Sequence, residues 1–181
     1  MLPLLHIPDG FLAPQVALAL WVVTAVVLGV SLRAIGSGAS ADVGASAPRS
    51  RGILMGISGA FIFAAQMFNF PVAAGTSGHL LGGVLAGTLL GPWAGSVVMA
   101  TVIGIQALLF QDGGLLALGA NIFNMGVIGT LGGTLVARGI GTTLGGTPRA
   151  SRLGVGIAAW LSTLAAAGFT TLQLGLSGTT D

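Results

Sequence analysis

The sequence predicts an all-α fold, a polytopic transmembrane helical bundle of about six spans with both termini outside. Three observations predict it. Only ten of the 181 residues are charged, six Lys+Arg and four Asp+Glu, where a soluble domain of this length carries about 45. Hydrophobic residues make up 54% of the chain and gather in blocks long enough to cross a bilayer. The 32 glycines are more than double the background of roughly 7%, which fits helices that approach each other closely.

The apolar blocks run over about 13–32, 52–70, 79–110, 114–137 and 153–174. As one helix the third would be about 48 Å long at roughly 1.5 Å per residue, against a hydrocarbon core of about 30 Å. Gly91-Pro92 sits inside it, and proline is welcome at a helix start but not in a helix interior, so the block divides into 79–91 and 93–110. The six cations are Arg33, Arg49, Arg51, Arg138, Arg149 and Arg152. They occupy two loops, 33–51 and 138–152, which the positive-inside rule assigns to the cytoplasm. An even number of spans must then separate those loops, and the division at Pro92 supplies four. The whole chain, 1–181, reads as a single transmembrane domain with an external segment at 1–12. The Gly/Ala/Ser-rich stretch 34–51 reads as a flexible cytoplasmic linker. Gly83, Gly87, Gly91 and Gly95, with Gly129 and Gly133, fit small-residue helix faces. The opening MLPLLH lacks a basic region, so the first block reads as a span and not as a signal peptide.

Missing residue types exclude several chemistries. The chain has no Lys, Glu, Cys or Tyr. There is accordingly no Walker A lysine, no Schiff-base lysine, no H-E-x-x-H metalloprotease motif and no thiolate metal site. A net charge of +2 does not indicate a nucleic-acid partner; the expected surroundings are a lipid bilayer.

The chain has two histidines, His6 and His79, and the topology puts both on the outer face in Gly- and Pro-containing turns. Irregular backbone at membrane depth is tolerated only where it is buried in protein or lines a cavity. Neutral imidazole is a leading ligand for Ni, Co, Cu and Zn ions, so the two rings read either as a metal-ligand pair or as interfacial residues. Asp9 and Asp112 read either as acceptors that orient an imidazole or as caps, with Asp112 the N-cap of the fifth span. Gln66, Asn69, Gln106, Asn121 and Asn124 read as interhelical hydrogen-bonding amides. Asn121 and Asn124 lie near the outer end of the fifth span, where they would support a site without touching its ligand.

Three ordered motifs, His6-Ile7-Pro8-Asp9-Gly10-Phe11-Leu12, Gly75-Thr76-Ser77-Gly78-His79-Leu80-Leu81-Gly82, and Phe110-Gln111-Asp112-Gly113-Gly114 leading into Gly119-Ala120-Asn121-Ile122-Phe123-Asn124-Met125, resemble the cobalt/nickel substrate-capture component of energy-coupling-factor transporters, the CbiM/NikM family. The resemblance implies a multi-pass subunit in the plasma membrane of a prokaryote that captures divalent cobalt or nickel from outside and carries no prosthetic group. It implies a transmembrane coupling protein, cytoplasmic ATPase subunits and a small accessory membrane subunit as partners. In the family the metal-binding histidine is the second residue, so that the terminal amine, the second amide nitrogen and that imidazole chelate the ion together with the histidine matching His79. Here five residues precede His6, and the expectation is a mature chain beginning at Leu5, whose backbone amine joins His6 and His79 as a ligand. Family members also continue past Ser177-Gly178-Thr179 into a further helix, so a C-terminal helix is expected beyond this chain. Two readings from other classes are a metal-dependent membrane hydrolase built on His6, His79 and Asp112, and a purely structural membrane subunit.

Overall fold

In a computed structural model the structure describes residues 6–38, 48–68, 70–71 and 77–179. Helix α1 spans Pro14–Gly36 and α2 Pro48–Gln66. A two-residue antiparallel pair follows, β1 Phe70–Pro71 with β2 Ser77–Gly78. Next come α3 Gly83–Leu90, α4 Pro92–Phe110, α5 Leu118–Asn121, a π-helical stretch Ile122–Gly132, α6 Gly133–Thr143 and α7 Pro148–Leu176. Apart from that short pair the described elements are all helices, and the chain is a helical membrane protein.

Proline starts α1, α2, α4 and α7, because its fixed φ suits the first helical turn and its missing N–H would have had no intrahelical partner there. Thr147 completes the start of α7, its hydroxyl accepting from the Ala150 N–H at 3.1 Å. The division at Pro92 is observed: Gly91 lies between α3 and α4 at φ +80°, a left-handed conformation open to glycine. Gly91 therefore turns the chain, and it is buried there.

Among the described residues four helical segments are long and apolar enough to cross a membrane: α1, α4, α7 and the continuous run Leu118–Thr143. Helix α3, with eight residues, rises only about 12 Å at roughly 1.5 Å per residue, and two arginines in the first turn of α2 limit its apolar stretch. Of the described residues in the two arginine-bearing loops expected at 33–51 and 138–152, most are helical. Helix α1 carries Arg33 in its last turn, α2 carries Arg49 and Arg51 in its first, α6 includes Arg138, and α7 begins with Arg149 and Arg152. Arginine is a good helix former, and its long stem lets the charge reach water from a helix end. Within the expected linker 34–51, residues 39–47 lie outside the described residues, as do Asp42, Asn69, Asp181 and the Gly75-Thr76 pair.

The Leu118–Thr143 run is the centre of the bundle, with 67% of its apolar window buried against 17% for α1 and 22% for α7. The outer helices leave Leu18, Val26, Trp160 and Leu172 exposed, as lipid-facing positions require. Around the central run a core of Ile62, Leu90, Met99, Val102, Ile103, Ile122 and Met125 joins α2, α3 and α4. Helix α3 crosses the π-helical stretch where glycine meets glycine: a β-carbon on Gly83 would lie 2.7 Å from the Gly129 Cα. We expect Gly83→Ala to cost about 1–3 kcal/mol by overpacking, lowering the thermal midpoint in detergent by roughly 2–10 °C. Gly29→Ala, which meets open space, should leave that midpoint unchanged or slightly raised.

Candidate metal centre

The ends of several elements converge at one end of the bundle. There the segment before α1 meets the turn after α4 and the start of α5, while Thr179, just past α7, donates from Oγ1 to the Phe11 carbonyl at 3.0 Å. The segment before α3 joins them through Gln66, the last residue of α2. All six arginines lie toward the opposite helix ends.

His6 is held by its neighbours on irregular backbone. The Ile7 N–H donates to Asn121 Oδ1 and Asn121 Nδ2 donates back to the Ile7 carbonyl, both at 3.0 Å. The same carbonyl accepts from the Gly114 N–H at 2.9 Å. Two residues, Asn121 and Gly114, thus hold the Ile7 main chain by three hydrogen bonds, and the His6 side chain enters the protein with only 1% of its surface exposed. Gly113 makes the fit possible. Its φ is +96°, and a β-carbon there would lie 2.7 Å from His6 Cβ and 3.0 Å from Asn121 Nδ2.

Asp112 stands beside His6, its Oδ2 3.2 Å from Nδ1. A carboxylate next to Nδ1 favours the proton there and leaves the lone pair on Nε2. His6 Nε2 is buried and has no hydrogen-bond partner among the described residues. His79 has the same polarity: its Nδ1 donates to the Leu80 carbonyl at 2.9 Å, which in the neutral ring puts the lone pair on Nε2. The two rings, 73 positions apart in the chain, have centroids 5.8 Å apart and planes tilted by 54°. With metal–nitrogen bonds of about 2.0–2.1 Å and a ring centroid about 1.1 Å behind each nitrogen, one ion can join imidazoles whose centroids are up to about 6.3 Å apart. The observed separation lies within that reach. Both rings line a cleft of about 660 Å³ with Asn121, Asn124 and Met125 on its central wall and Thr170 from α7.

The acidic residues divide their roles differently from the cap expected at Asp112. The turn that leads into α5 is capped by Asp9, whose carboxylate accepts from the N–H groups of Leu115 at 3.1 Å, Leu116 at 2.8 Å and Ala117 at 3.2 Å. A partner 106 positions away is invisible to local spacing, so the sequence offers Asp9 and Asp112 alike as caps or as imidazole acceptors. Asp112 instead faces His6. Asn124 pairs with α7, exchanging hydrogen bonds with the Gln173 amide at 2.9 and 2.8 Å and donating to Thr170 at 3.1 Å. Leu5, the expected amine donor, lies outside the described residues. Among the described residues no three His, Cys, Asp or Glu side chains are grouped to hold a metal ion; His6 and His79 face each other as a pair, with Asp112 beside His6 Nδ1. Losing the Asp9 cap should cost about 0.5–2 kcal/mol. Asp9→Ala is expected to lower the thermal midpoint, and Asp9→Asn, which retains a capping oxygen, should recover most of the loss.

Comparison with known proteins gives one consistent result. The model of the CbiM family, described as the cobalt uptake substrate-specific transmembrane region, matches residues 6–181. A Haloquadratum walsbyi protein whose name places it in metal transport is 47% identical over 111 residues, covering 61% of this chain and 47% of that protein. The fused nickel transport protein NikMN of Rhodobacter capsulatus is 35% identical over 111 residues, covering 61% of this chain and 30% of that one. The match thus spans less than half the length of either relative. A crystal structure of a truncated transition metal transporter superposes with a TM-score of 0.78 at 37% identity, over 95% of this chain and 75% of that one. The family match over nearly the whole length, with a neighbour of the same helical architecture, places this chain in the CbiM family of cobalt uptake substrate-specific transmembrane regions.

Proposed function

We propose that the chain is the metal-capturing membrane subunit of an energy-coupling-factor importer for divalent cobalt or nickel. The observation that carries this reading is the convergence of His6 and His79, whose ring centroids are 5.8 Å apart. Each presents Nε2 as its lone-pair nitrogen, at a cleft on the end of the bundle remote from the arginines. Arginine-rich helix ends belong on the cytoplasmic side, so the cleft opens outward and both termini lie outside; the remaining two of six passes are α2 and the short α3 together with the irregular segment 77–82 that leads into it. Nitrogen ligands without thiolate suit Ni(II), Co(II) and Cu(II), and the ion here is cargo. The backbone amine of Leu5, in a chain beginning at that position, would complete a nitrogen-rich ligand set with His6 and His79. Intact-mass measurement of the mature protein tests that ligand.

Asp112 orients His6, Asn121 fixes the peptide behind it, and Asn124 joins the cleft wall to α7. Capture at the outer cleft requires a later rearrangement to release the ion inward. The chain has no lysine and hence no Walker A lysine to bind ATP phosphates, so the driving hydrolysis belongs to cytoplasmic ATPase partners, coupled through a transmembrane protein and a small accessory membrane subunit.

His6→Ala and His79→Ala should each abolish high-affinity Ni(II) and Co(II) binding by the purified protein and metal uptake by cells carrying the whole transporter. Wild-type binding in the double variant would refute the reading. Imidazole must be neutral to ligate, so affinity should weaken as the medium is acidified. A Ni(II) titration series between pH 5 and 8 checks this, and a flat profile would contradict nitrogen ligation.

A further inference from the structure

Two buried glutamines connect the His79 segment to the Asp112 turn. Gln66, the last residue of α2, donates from Nε2 to the Leu81 carbonyl at 2.8 Å. Its Oε1 accepts from Gln106 Nε2 at 3.0 Å, and both residues are 0% exposed. The orientation of the pair follows from chemistry. A backbone carbonyl only accepts, so the Gln66 amino group must face Leu81. The Gln66 oxygen then points at Gln106, which must answer with its own amino group.

The same pair reaches the other side of the cleft. The Gln106 main-chain carbonyl receives the Asp112 N–H at 3.1 Å, and Asp112 stands beside His6. At the opposite end of the relay, Leu81 follows Leu80, whose carbonyl holds His79 Nδ1. Gly82, at φ +80°, lets this backbone settle onto α2, since a β-carbon there would lie 2.6 Å from Ile62 Cγ2. One run of contacts therefore extends from the carboxylate that faces the first imidazole to the carbonyl that fixes the second.

The pair is held at a cost. Among the described residues Gln106 Oε1 is buried without a hydrogen-bond partner, and an unmet buried acceptor is destabilising. Leucine or methionine at both positions would fill the same space without that cost, but neither could hold the Leu81 carbonyl. Stability alone does not account for the arrangement; positioning does.

We propose that Gln66 and Gln106 are positioning residues that set the distance from His79 to His6 and thereby metal affinity, an inference that rests on the metal-capture reading above. Neither amide touches the ion; each acts through the backbone that carries an imidazole or the carboxylate facing one. Removing a partner that orients a metal ligand typically lowers affinity about 10–100-fold.

The test is a double-mutant cycle on the full chain in detergent, with Ni(II) affinity measured for wild type, Gln66→Leu, His79→Ala and the double variant. Gln66→Leu should bind 10–100-fold more weakly, and the double variant should bind no more weakly than His79→Ala alone, because Gln66 acts through His79. Pulsed EPR on Cu(II)-loaded protein gives a second readout: two coordinated imidazoles in the wild type and a weakened or missing second one in Gln66→Leu. Should Gln66→Leu fail to fold, Gln66→Met, unbranched and of similar length, keeps the packing while removing the donor. Wild-type affinity in a folded Gln66 variant overturns the inference, as does a loss that persists undiminished in the His79→Ala background. Wild-type affinity in His79→Ala itself overturns the capture reading, and this inference falls with it.

Discussion

A bilayer offers no water to unpaired backbone groups, so any non-helical segment near its depth must find hydrogen-bond partners inside the protein. That constraint organises the His6 end of this bundle. Three irregular stretches meet there, and each is satisfied by a side chain distant in sequence: Asn121 takes both polar groups of the Ile7 peptide, Asp9 takes three N–H groups at 115–117, and Gln66 takes the Leu81 carbonyl. Asp9, Gln66 and Asn121 thus give their polar groups to main chain that departs from helix. The histidines are carried on those departures, so satisfying the backbone and placing the imidazoles are one structural problem.

The remainder of the bundle supports that end with inexpensive packing. Glycines let α3 lie against the π-helical stretch and α4 against α3, where β-carbons on Gly83 and Gly95 would meet backbone atoms. Close backbone contact between helices gives rigidity without polar groups, which suits a medium in which apolar burial supplies little driving force. The central run is wound as a π-helix from Ile122 to Gly132, immediately after Asn121 and including Asn124. Such winding is uncommon and is frequent at functional sites; here it separates the two amides that serve different neighbours, one the His6 peptide and the other α7.

Much of this was legible in the chain. Charge depletion and apolar block length gave the class, Pro92 gave the break between α3 and α4, and the arginines marked one end of every helix that carries them. His6 and His79 stood out because the chain has no other histidine, and their convergence is the largest single return from reading the sequence. What could not be read depends on contacts across long separations. Asp9 and Asp112 have identical chemistry and similar turn contexts, and only the fold decides that the first caps amides 106 to 108 positions away while the second faces His6. The glutamines were expected to bond between helices, and Gln66 with Gln106 does so, but nothing local reveals that Leu81 is the third member. The π winding has no composition signal, since its glycines suit tight α-helical packing equally well.

The central claim is that one ion sits between His6 and His79. Diffraction from crystals soaked in Ni(II), with the metal located by its anomalous scattering, tests it most directly. A single strong peak about 2.0–2.1 Å from both Nε2 atoms, inside the cleft, is the result this account requires. A peak bound to one ring alone, or lying at the arginine end of the bundle, would contradict it.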